Sequence, residues 1–306
     1  MKTKISLLFL AFVLISTGDF FASDYPSGSI LWKVSGKDLK KPSYLLGTLH
    51  LETGDYLNKI SGALDVFAET EQVVGELDMT DMMKVQQQLM PGMMMPTDTT
   101  YKMLYSDEDY LYVSEQLTSF VGVGLDHMGI LKPSALQTTI VAMIYQKLLP
   151  DFDGSNSIDM VVQYMAVEAG KPVLELETVN DQIAALFDAS PLQRQADLLL
   201  CMLRESNDSD KLVQDALKLI EDYHKGDLNT LYYDGFNKKE DDAVCQPTQE
   251  EKDKVLKCRN DKWMKKLPEL MKDKSSFIAV GALHLAGEEG LLHQLMQMGY
   301  IVEAIR

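Results

Sequence analysis

The sequence lacks a surplus of basic residues. Lysine and arginine together number 29, against 46 aspartates and glutamates, and the formal net charge at pH 7 is −17. A general nucleic-acid binder needs positive charge to neutralise phosphates. The charge balance therefore argues against that class, and an acidic surface by itself indicates little more than solubility.

Long apolar runs are also missing once the first residues are passed. Lys2 and Lys4 begin a segment whose apolar stretch, residues 5–16, is too short to span a bilayer, and small residues follow near 18–23. This is the pattern of a cleaved targeting segment. We therefore expect residues 1–22 to be a signal peptide. The mature chain is expected to be exported without a membrane span, to the periplasm in a Gram-negative cell and otherwise to be secreted.

Cysteine is scarce, with three residues in the chain. Cys245 and Cys258 flank a polar stretch, and in an oxidising compartment they either form a disulfide or remain two thiols. Spacing alone does not decide between these alternatives, because a bridge requires a particular geometry. Cys201 lies in an apolar helical stretch, where we expect it to be a buried small hydrophobic residue.

The sequence contains no Gly/Ser-rich linker and no abrupt change of composition. We therefore expect residues 23–306 to form a single domain rather than two. Its long middle, about residues 100–270, reads as a largely helical insertion. Helix starts are predicted there from capping and first-turn signals at Ser106, Pro191 and Thr248.

Strand-like runs occur mainly near the two ends of the chain. A β–α–β order is predicted at each end, with helical spacing over residues 58–70 and 288–298. The sequence therefore predicts an α/β fold with a mixed sheet, two β–α–β units at the chain ends and a helical insertion between them. The six predicted strands cover residues 29–35, 43–49, 72–78, 172–177, 277–281 and 300–305.

Two four-residue segments with the pattern G-x-x-H follow predicted strands at opposite ends of the chain. The first runs from Gly47 to His50 and the second from Gly281 to His284. One such match is weak, but two in the same context suggest imidazoles that meet at the carboxyl edge of one sheet. Neutral imidazole is the commonest side-chain ligand of transition metals, so the pair predicts half of a metal site.

Acidic residues at other strand ends are candidates to complete the site. Glu76 interrupts a buried strand, and a buried carboxylate is costly unless it is paired, hydrogen-bonded or bound to metal. Asp78 lies two residues on and faces the same side. It is a weaker candidate, because the last residue of a strand is often simply exposed. Glu175 and Glu177 present the same pattern on another strand, and one of the two is expected to orient a ligand or hold an arginine.

The segment from Met79 to Met103 is rich in methionine. Thioether sulfur binds soft metals, so one interpretation is copper handling. The alternative is an adaptable apolar surface, such as a lid over a groove. Pro91, Gly92 and Pro96 interrupt the segment and favour the lid.

Together these motifs resemble the TraB/GumN family, a branch of the Tiki-like metalloprotease superfamily. The resemblance runs from about Ile30 to Ile305 and rests on motifs in the family's order. These are the two G-x-x-H segments, the strand VVGELD, Ser157-Ile-Asp159 followed by GKPV and LET, Arg259-Asn260 with Trp263, and the closing FIAVGALHLAGEEGLLHQLMQMGY.

The resemblance implies a fold like that of erythromycin-esterase-like and ChaN-like proteins, and a divalent metal site. Mn or Co is implied as the ion, with Zn or Fe as further possibilities. His50, His284 and Glu76 would be the ligands, with Glu76 and Arg259 as catalytic residues. The supporting residues would be Gly47, Gly281, Asp78, Glu177 and Asn260.

The function that we expect is metal-assisted hydrolysis of a peptide or small-molecule substrate, with a metal-dependent peptidase as the leading interpretation. In it Glu76 either completes the coordination or acts as general base, and Arg259 stabilises oxyanion charge or clamps a substrate carboxylate. Two alternatives remain open. One is a non-enzymatic protein that binds haem, iron or another small ligand in the same cleft, and the other is an esterase on the same scaffold.

Overall fold

The structure is a computed structural model that describes residues 25–149, 151–152, 154–205, 209–236 and 244–306. The expected signal peptide, residues 1–22, lies outside the described residues, as does its cleavage region. Within the described ranges, no helix is both long and apolar enough to cross a membrane.

A six-stranded sheet runs through the fold, with the spatial order β4-β3-β5-β2-β1-β6. The first four strands in that order run parallel to one another, whereas β1 is antiparallel to both β2 and β6. The sheet is therefore mixed, which confirms the predicted α/β class. The strands are β1 (Leu31–Ser35), β2 (Ser43–Thr48), β3 (Gln72–Gly75), β4 (Val173–Glu175), β5 (Ser276–Gly281) and β6 (Ile301–Ala304).

The two strands that carry the G-x-x-H glycines lie side by side near the middle of the sheet. Every residue of β2 and of β5 is buried. Continuous apolar runs of this kind are typical of parallel strands covered on both faces. Side chains such as Leu45 and Ile278 are fully buried, and each contributes about 1.5–3 kcal/mol to stability. The scaffold beneath the two histidines is thus a well-packed part of the molecule.

Helices make up most of the rest of the described chain. All but α1 and α15 lie between β3 and β5, where β4 is the one strand in the described residues. Two short 3₁₀ helices, Gly54–Lys59 and Ala282–His284, follow β2 and β5. The α-helices are α1 (Ala63–Glu69), α2 (Met82–Met93), α3 (Tyr101–Leu104), α4 (Asp107–Val121), α5 (Leu125–Met128), α6 (Pro133–Leu148), α7 (Ile158–Glu168), α8 (Val179–Leu186), α9 (Leu192–Glu205), α10 (Ser209–His224), α11 (Leu228–Phe236), α12 (Gln249–Val255), α13 (Lys257–Trp263), α14 (Leu267–Asp273) and α15 (Leu291–Gln297).

The three helix starts predicted in the middle of the chain are confirmed. Ser106 caps α4 by accepting a hydrogen bond from the backbone N–H of Asp109. Thr248 and Glu251 form a capping box at the start of α12, and α9 begins directly after Pro191. Local side-chain chemistry therefore sets these boundaries.

Strand β3 ends earlier than predicted. It stops at Gly75, and the next carbonyl, that of Glu76, accepts hydrogen bonds from the backbone N–H groups of Leu176 and Glu177. These bonds replace a regular strand ladder. Glu76 therefore lies just beyond the end of its strand rather than within it.

Neither alternative considered for Cys245 and Cys258 is found, because the two residues do not bond to each other and only Cys258 is a thiol. Cys245 bonds to Cys201 on α9, which is consequently not a simple buried hydrophobic residue, and Cys258 is an exposed thiol. Arg194, on the same helix as Cys201, explains the pairing because its guanidinium donates to the carbonyl of Gln246 over 2.8 Å and so holds the Cys245 segment against α9. The bridge spans 44 residues, for which the loop-entropy estimate is about 4 kcal/mol.

Candidate metal centre

Three predicted site residues meet at the carboxyl edge of the sheet, and we call His50, Glu76 and His284 the His–Glu cluster. They follow β2, β3 and β5, which run parallel and end at the same edge. The Nε2 atoms of His50 and His284 lie 3.7 Å and 3.9 Å from Oε1 of Glu76. Their exposed side-chain fractions are 16%, 10% and 6% in chain order, so the three groups interact largely away from water.

The two motif glycines allow the cluster to be this compact. A Cβ atom on Gly281 would lie 3.0 Å from Nε2 of His50 and 3.3 Å from Oε1 of Glu76. On Gly47 it would lie 3.0 Å from the backbone of Ala282. Any larger residue would push these groups apart. This close approach is the physical reason for glycine at both positions.

Glu76 is held as a carboxylate anion. Its Oε1 accepts the backbone N–H of Gly281 over 2.8 Å, and its Oε2 accepts from Nη2 of Arg259 over 2.6 Å and from the amide of Gln182 over 3.3 Å. Burial alone would raise the pKa of Glu76, but Arg259 and the two imidazoles outweigh burial and hold it well below its ordinary value.

His50 is oriented by a carboxylate. Its Nδ1 lies 3.0 Å from Oδ2 of Asp159, whose other oxygen accepts a hydrogen bond from the Thr48 hydroxyl over 2.6 Å. Because a carboxylate anion only accepts, Nδ1 carries the hydrogen and Nε2 faces Glu76. Burial disfavours the charged ring, but Asp159 and then Glu76 overcome it and raise the pKa of His50 to about 9.

His284 is oriented by a neutral amide. Asn260 donates through Nδ2 to the backbone carbonyls of His284 and Glu289, which turns its Oδ1 towards Nδ1 of His284 at 2.6 Å. The ring therefore carries its hydrogen on Nδ1 and has a lone pair on Nε2. Burial, followed by the charge of Arg259, lowers the pKa of His284 well below the ordinary value, so the ring is neutral.

Arg259 links the cluster to a second acid. Its guanidinium donates to Glu76 and to Glu177, and Nη1 donates to Nε2 of His284 over 2.9 Å. Glu177 also accepts from the indole N–H of Trp263 over 3.1 Å. Burial raises the pKa of Glu177 despite the nearby guanidinium, while the two acids keep the pKa of Arg259 above its ordinary value.

The donor atoms of the His–Glu cluster are of the kinds that divalent transition metals bind. Two imidazole nitrogens and one carboxylate oxygen suit Mn, Fe, Co or Zn, and ligands of one tetrahedral ion stand about 3.4 Å apart, close to the distances found here. Asp159 and Asn260 supply the outer hydrogen bonds that metal-binding histidines usually have. As they stand, the described residues contain no group of three or more His, Cys, Asp or Glu side chains that could hold a metal ion. Nη1 of Arg259 occupies the lone pair on Nε2 of His284.

Two cavities meet at the cluster. The first, the apolar cleft, has a volume of about 70 Å³ and is lined by the cluster, Arg259 and several apolar side chains. The second, the methionine pocket, has about 30 Å³ and is lined by Met79, Met82 and Met160 among others. His50, Glu76 and Gln182 line both. Two of these methionines come from the methionine-rich segment, which therefore reaches the site.

One predicted supporting residue lies apart from the His–Glu cluster. Three residues that contact the cluster or line the apolar cleft were not predicted. Oδ1 of Asp78 accepts hydrogen bonds from Thr80 rather than joining the cluster. The unpredicted residues are Asp159, Gln182 and Tyr145. Asp159 stood within the Ser-Ile-Asp segment that carried the resemblance, whereas Gln182 and Tyr145 gave no signal in the sequence.

Comparison with known proteins identifies the family. The sequence model of the TraB/PrgY/gumN family matches residues 30–304, which includes the His–Glu cluster, Asp159 and Arg259. No curated protein and no solved structure matches the chain. Because the match covers nearly all of the sequence, the chain belongs to the TraB/PrgY/gumN family.

Proposed function

We propose that this chain is an exported metal-dependent peptidase whose divalent ion is held by His50, His284 and Glu76. The observation that carries the proposal is the pair of imidazoles whose Nδ1 atoms are held by Asp159 and Asn260 and whose Nε2 atoms both face one carboxylate oxygen beside a cleft. An ion of the Mn or Co type, as the sequence resemblance implies, would supply a Lewis acid and a bound water of lowered pKa. The remaining steps fall to side chains of the chain itself.

Glu76 is better suited to hold the ion than to act as general base. A general base works best when its pKa lies near the working pH. The pKa of Glu76 is well below its ordinary value because Arg259 and both imidazoles favour its anion. A carboxylate that binds protons so weakly suits coordination, so we assign Glu76 to the ion.

Arg259 positions the carboxylates and then offers one donor to substrate. In the structure its Nη1 donates to Nε2 of His284, the lone pair that the ion would need. Release of that hydrogen bond frees one N–H beside the cluster while Glu76 and Glu177 still hold the guanidinium. The freed N–H can donate to a substrate carbonyl oxygen and stabilise the negative charge that develops there.

Gln182 supports an amide substrate over an ester. Its Nε2 donates to Glu76, which leaves Oε1 buried and without a partner among the described residues. A peptide N–H can satisfy this acceptor, whereas an ester has no hydrogen to donate. An unmet buried acceptor costs about 1–3 kcal/mol, so Gln182 should favour peptide over ester in binding.

The size of the apolar cleft also favours a peptidase over a haem binder. Its volume is about 70 Å³, and one water needs about 10–15 Å³ on this measure. There is room for about five to seven waters, which suits one amino acid side chain and not a macrocycle.

A matched pair of substrates tests the proposal. A blocked peptide and its ester analogue, in which oxygen replaces one backbone N–H, are incubated with the chain and Mn, and products are followed by mass spectrometry. We expect peptide cleavage that is lost with chelator and in His50→Ala, and retained in His127→Ala, an exposed control. Gln182→Met should slow peptide cleavage about tenfold more than ester cleavage.

Two results would contradict the proposal. One is an equal effect of Gln182→Met on the two substrates together with cleavage that persists in His50→Ala. The other is a chain that cleaves neither substrate and carries a haem absorption band that His50→Ala abolishes.

A further inference from the structure

Beyond the His–Glu cluster, the walls of the apolar cleft are mostly hydrocarbon. Leu219, Leu231, Val255 and Leu283 are among the side chains that line it beyond the metal centre. Such walls bind an apolar group well but distinguish poorly between groups of similar size. Selectivity in this cleft must therefore come from its few polar atoms.

Tyr145 provides one such atom. It lies on α6, lines the cleft and is only 2% exposed, yet its hydroxyl has no hydrogen-bond partner among the described residues. The contrast with other buried tyrosines is clear. Tyr223, on the same cleft, donates to the carbonyl of Gly47, and Tyr105 donates to the carbonyl of Ala196.

A buried hydroxyl without a partner is costly, and such groups call for an explanation. Hydroxyls of this kind are normally satisfied by protein, by ordered water or by a ligand. Because Tyr145 lines a cavity next to the His–Glu cluster, the partner that the described protein atoms do not supply can arrive with the substrate.

We propose that the apolar cleft receives an aromatic side chain with one polar atom, that of tyrosine or tryptophan, from the residue beside the cleaved bond, and that the Tyr145 hydroxyl bonds to that atom. This inference rests on the proposed peptidase function, because it assigns the substrate class of the same site. One hydroxyl satisfies one phenol or one indole N–H. It cannot satisfy a carboxamide, which has several hydrogen-bonding positions, or a charged tip, which would be buried unpaired.

The test uses two blocked pentapeptides with alanine at every position except the centre, which is tyrosine in one and phenylalanine in the other. Affinity for the purified full chain is measured by titration calorimetry, and the sample is then checked for cleavage by mass spectrometry. We expect the tyrosine peptide to bind about tenfold more tightly than the phenylalanine peptide. In Tyr145→Phe the two affinities should become equal, while Tyr105→Phe, which removes a bonded hydroxyl that does not line the cleft, should retain the preference.

Thermal unfolding adds a second readout. Tyr145→Phe should leave the midpoint unchanged or raise it, because it removes a hydroxyl with no partner, whereas Tyr105→Phe should lower it. A clear drop in the midpoint for Tyr145→Phe would show that its hydroxyl is bonded in the free chain and would overturn the inference.

The outcomes separate this inference from the proposed function. Preference without cleavage supports the bond between Tyr145 and an aromatic side chain in the cleft, and it contradicts the peptidase. Cleavage with equal affinities for the two peptides leaves the peptidase and overturns the inference, as does a preference that survives in Tyr145→Phe or an absence of binding by both peptides.

Discussion

His50 and His284 are the last residues of the two G-x-x-H segments, follow adjacent parallel strands and face the same carboxylate oxygen. Their electrostatic environments are nevertheless opposite. Asp159 holds His50 and raises its pKa to about 9. Asn260 holds His284, and burial together with Arg259 lowers its pKa. The motif thus places each ring, while partners on helices elsewhere in the chain set the pKa of that ring.

This difference gives the two histidines different states when no ion is bound. A proton sits on His50 and is attracted to Glu76, while the lone pair of His284 accepts a hydrogen bond from Arg259. An ion would have to displace the proton from one ring and the guanidinium from the other. Without an ion, the negative charge of Glu76 is therefore balanced by the proton on His50 and by the guanidinium of Arg259.

Removal of Arg259 should have the largest effect on this arrangement. Arg259→Met leaves Glu76 and Glu177 buried without their cation and should cost about 3–5 kcal/mol of unfolding free energy, measured by urea denaturation. Arg259→Lys, which retains the charge but not the planar guanidinium, should lose less unfolding free energy than Arg259→Met but more than none. The control Arg204→Met removes an arginine whose side chain is 58% exposed and should cost at most about 1 kcal/mol. Equal losses in Arg259→Met and Arg204→Met would contradict the central role of Arg259.

The second prediction concerns the pH dependence of stability in chelator-treated protein. The pKa of His50 is about 9 when folded, against an ordinary 6.5, so the folded state holds the proton more tightly. Its stabilising contribution, about 3 kcal/mol, is complete below pH 6.5 and is lost as the pH rises through 9. Asp159→Asn should remove most of this slope, while Asp126→Asn, at an exposed site, should retain it. A slope unchanged in Asp159→Asn would show that Asp159 does not set the pKa of His50.

The third prediction compares the two orienting residues through metal affinity. Asp159→Ala and Asn260→Ala should each weaken Mn binding about 10–100-fold, since such partners fix ring orientation and ligand basicity. The larger loss should come from Asp159, because an anion makes its ring more basic than an amide does. Competition with a chelating dye measures both constants, and an unchanged affinity in either variant would remove that residue from the site.

The smallest effect should come from Thr48, which supports only the His50 side. Thr48→Val removes its hydrogen bond to Asp159 and should cost about 1 kcal/mol of unfolding free energy. NMR titration should then show a lower pKa for His50 and no change for His284. Thr139→Val, whose hydroxyl bonds to its own helix, is the control. Equal shifts in both histidines would mean that the two environments are coupled rather than separate.

Sequence patterns predicted the parts of the site that the sheet arranges. His50, His284 and Glu76 follow strands, and the carboxyl ends of neighbouring parallel strands meet at one edge. Local signals such as the Thr248 capping box also identified helix starts, because they act over a few residues. These features depend on short-range geometry that the sequence displays directly.

The remaining residues depend on how helices pack, which no local pattern reveals. Gln182 and Tyr145 lie on α8 and α6 and reach the centre only through tertiary packing. The partner of Cys245 stayed open in the sequence for the same reason. Its bridge to Cys201 depends on how its segment packs against α9, where Arg194 donates to the carbonyl of Gln246.

The most direct test of the central claim is the metal content of the purified chain after equilibration with Mn and removal of free ion. Elemental analysis should find about one ion per chain in the wild type and in the exposed control His127→Ala. His50→Ala and His284→Ala should each lose most of it. Metal content that is unchanged in both His50→Ala and His284→Ala would contradict the account.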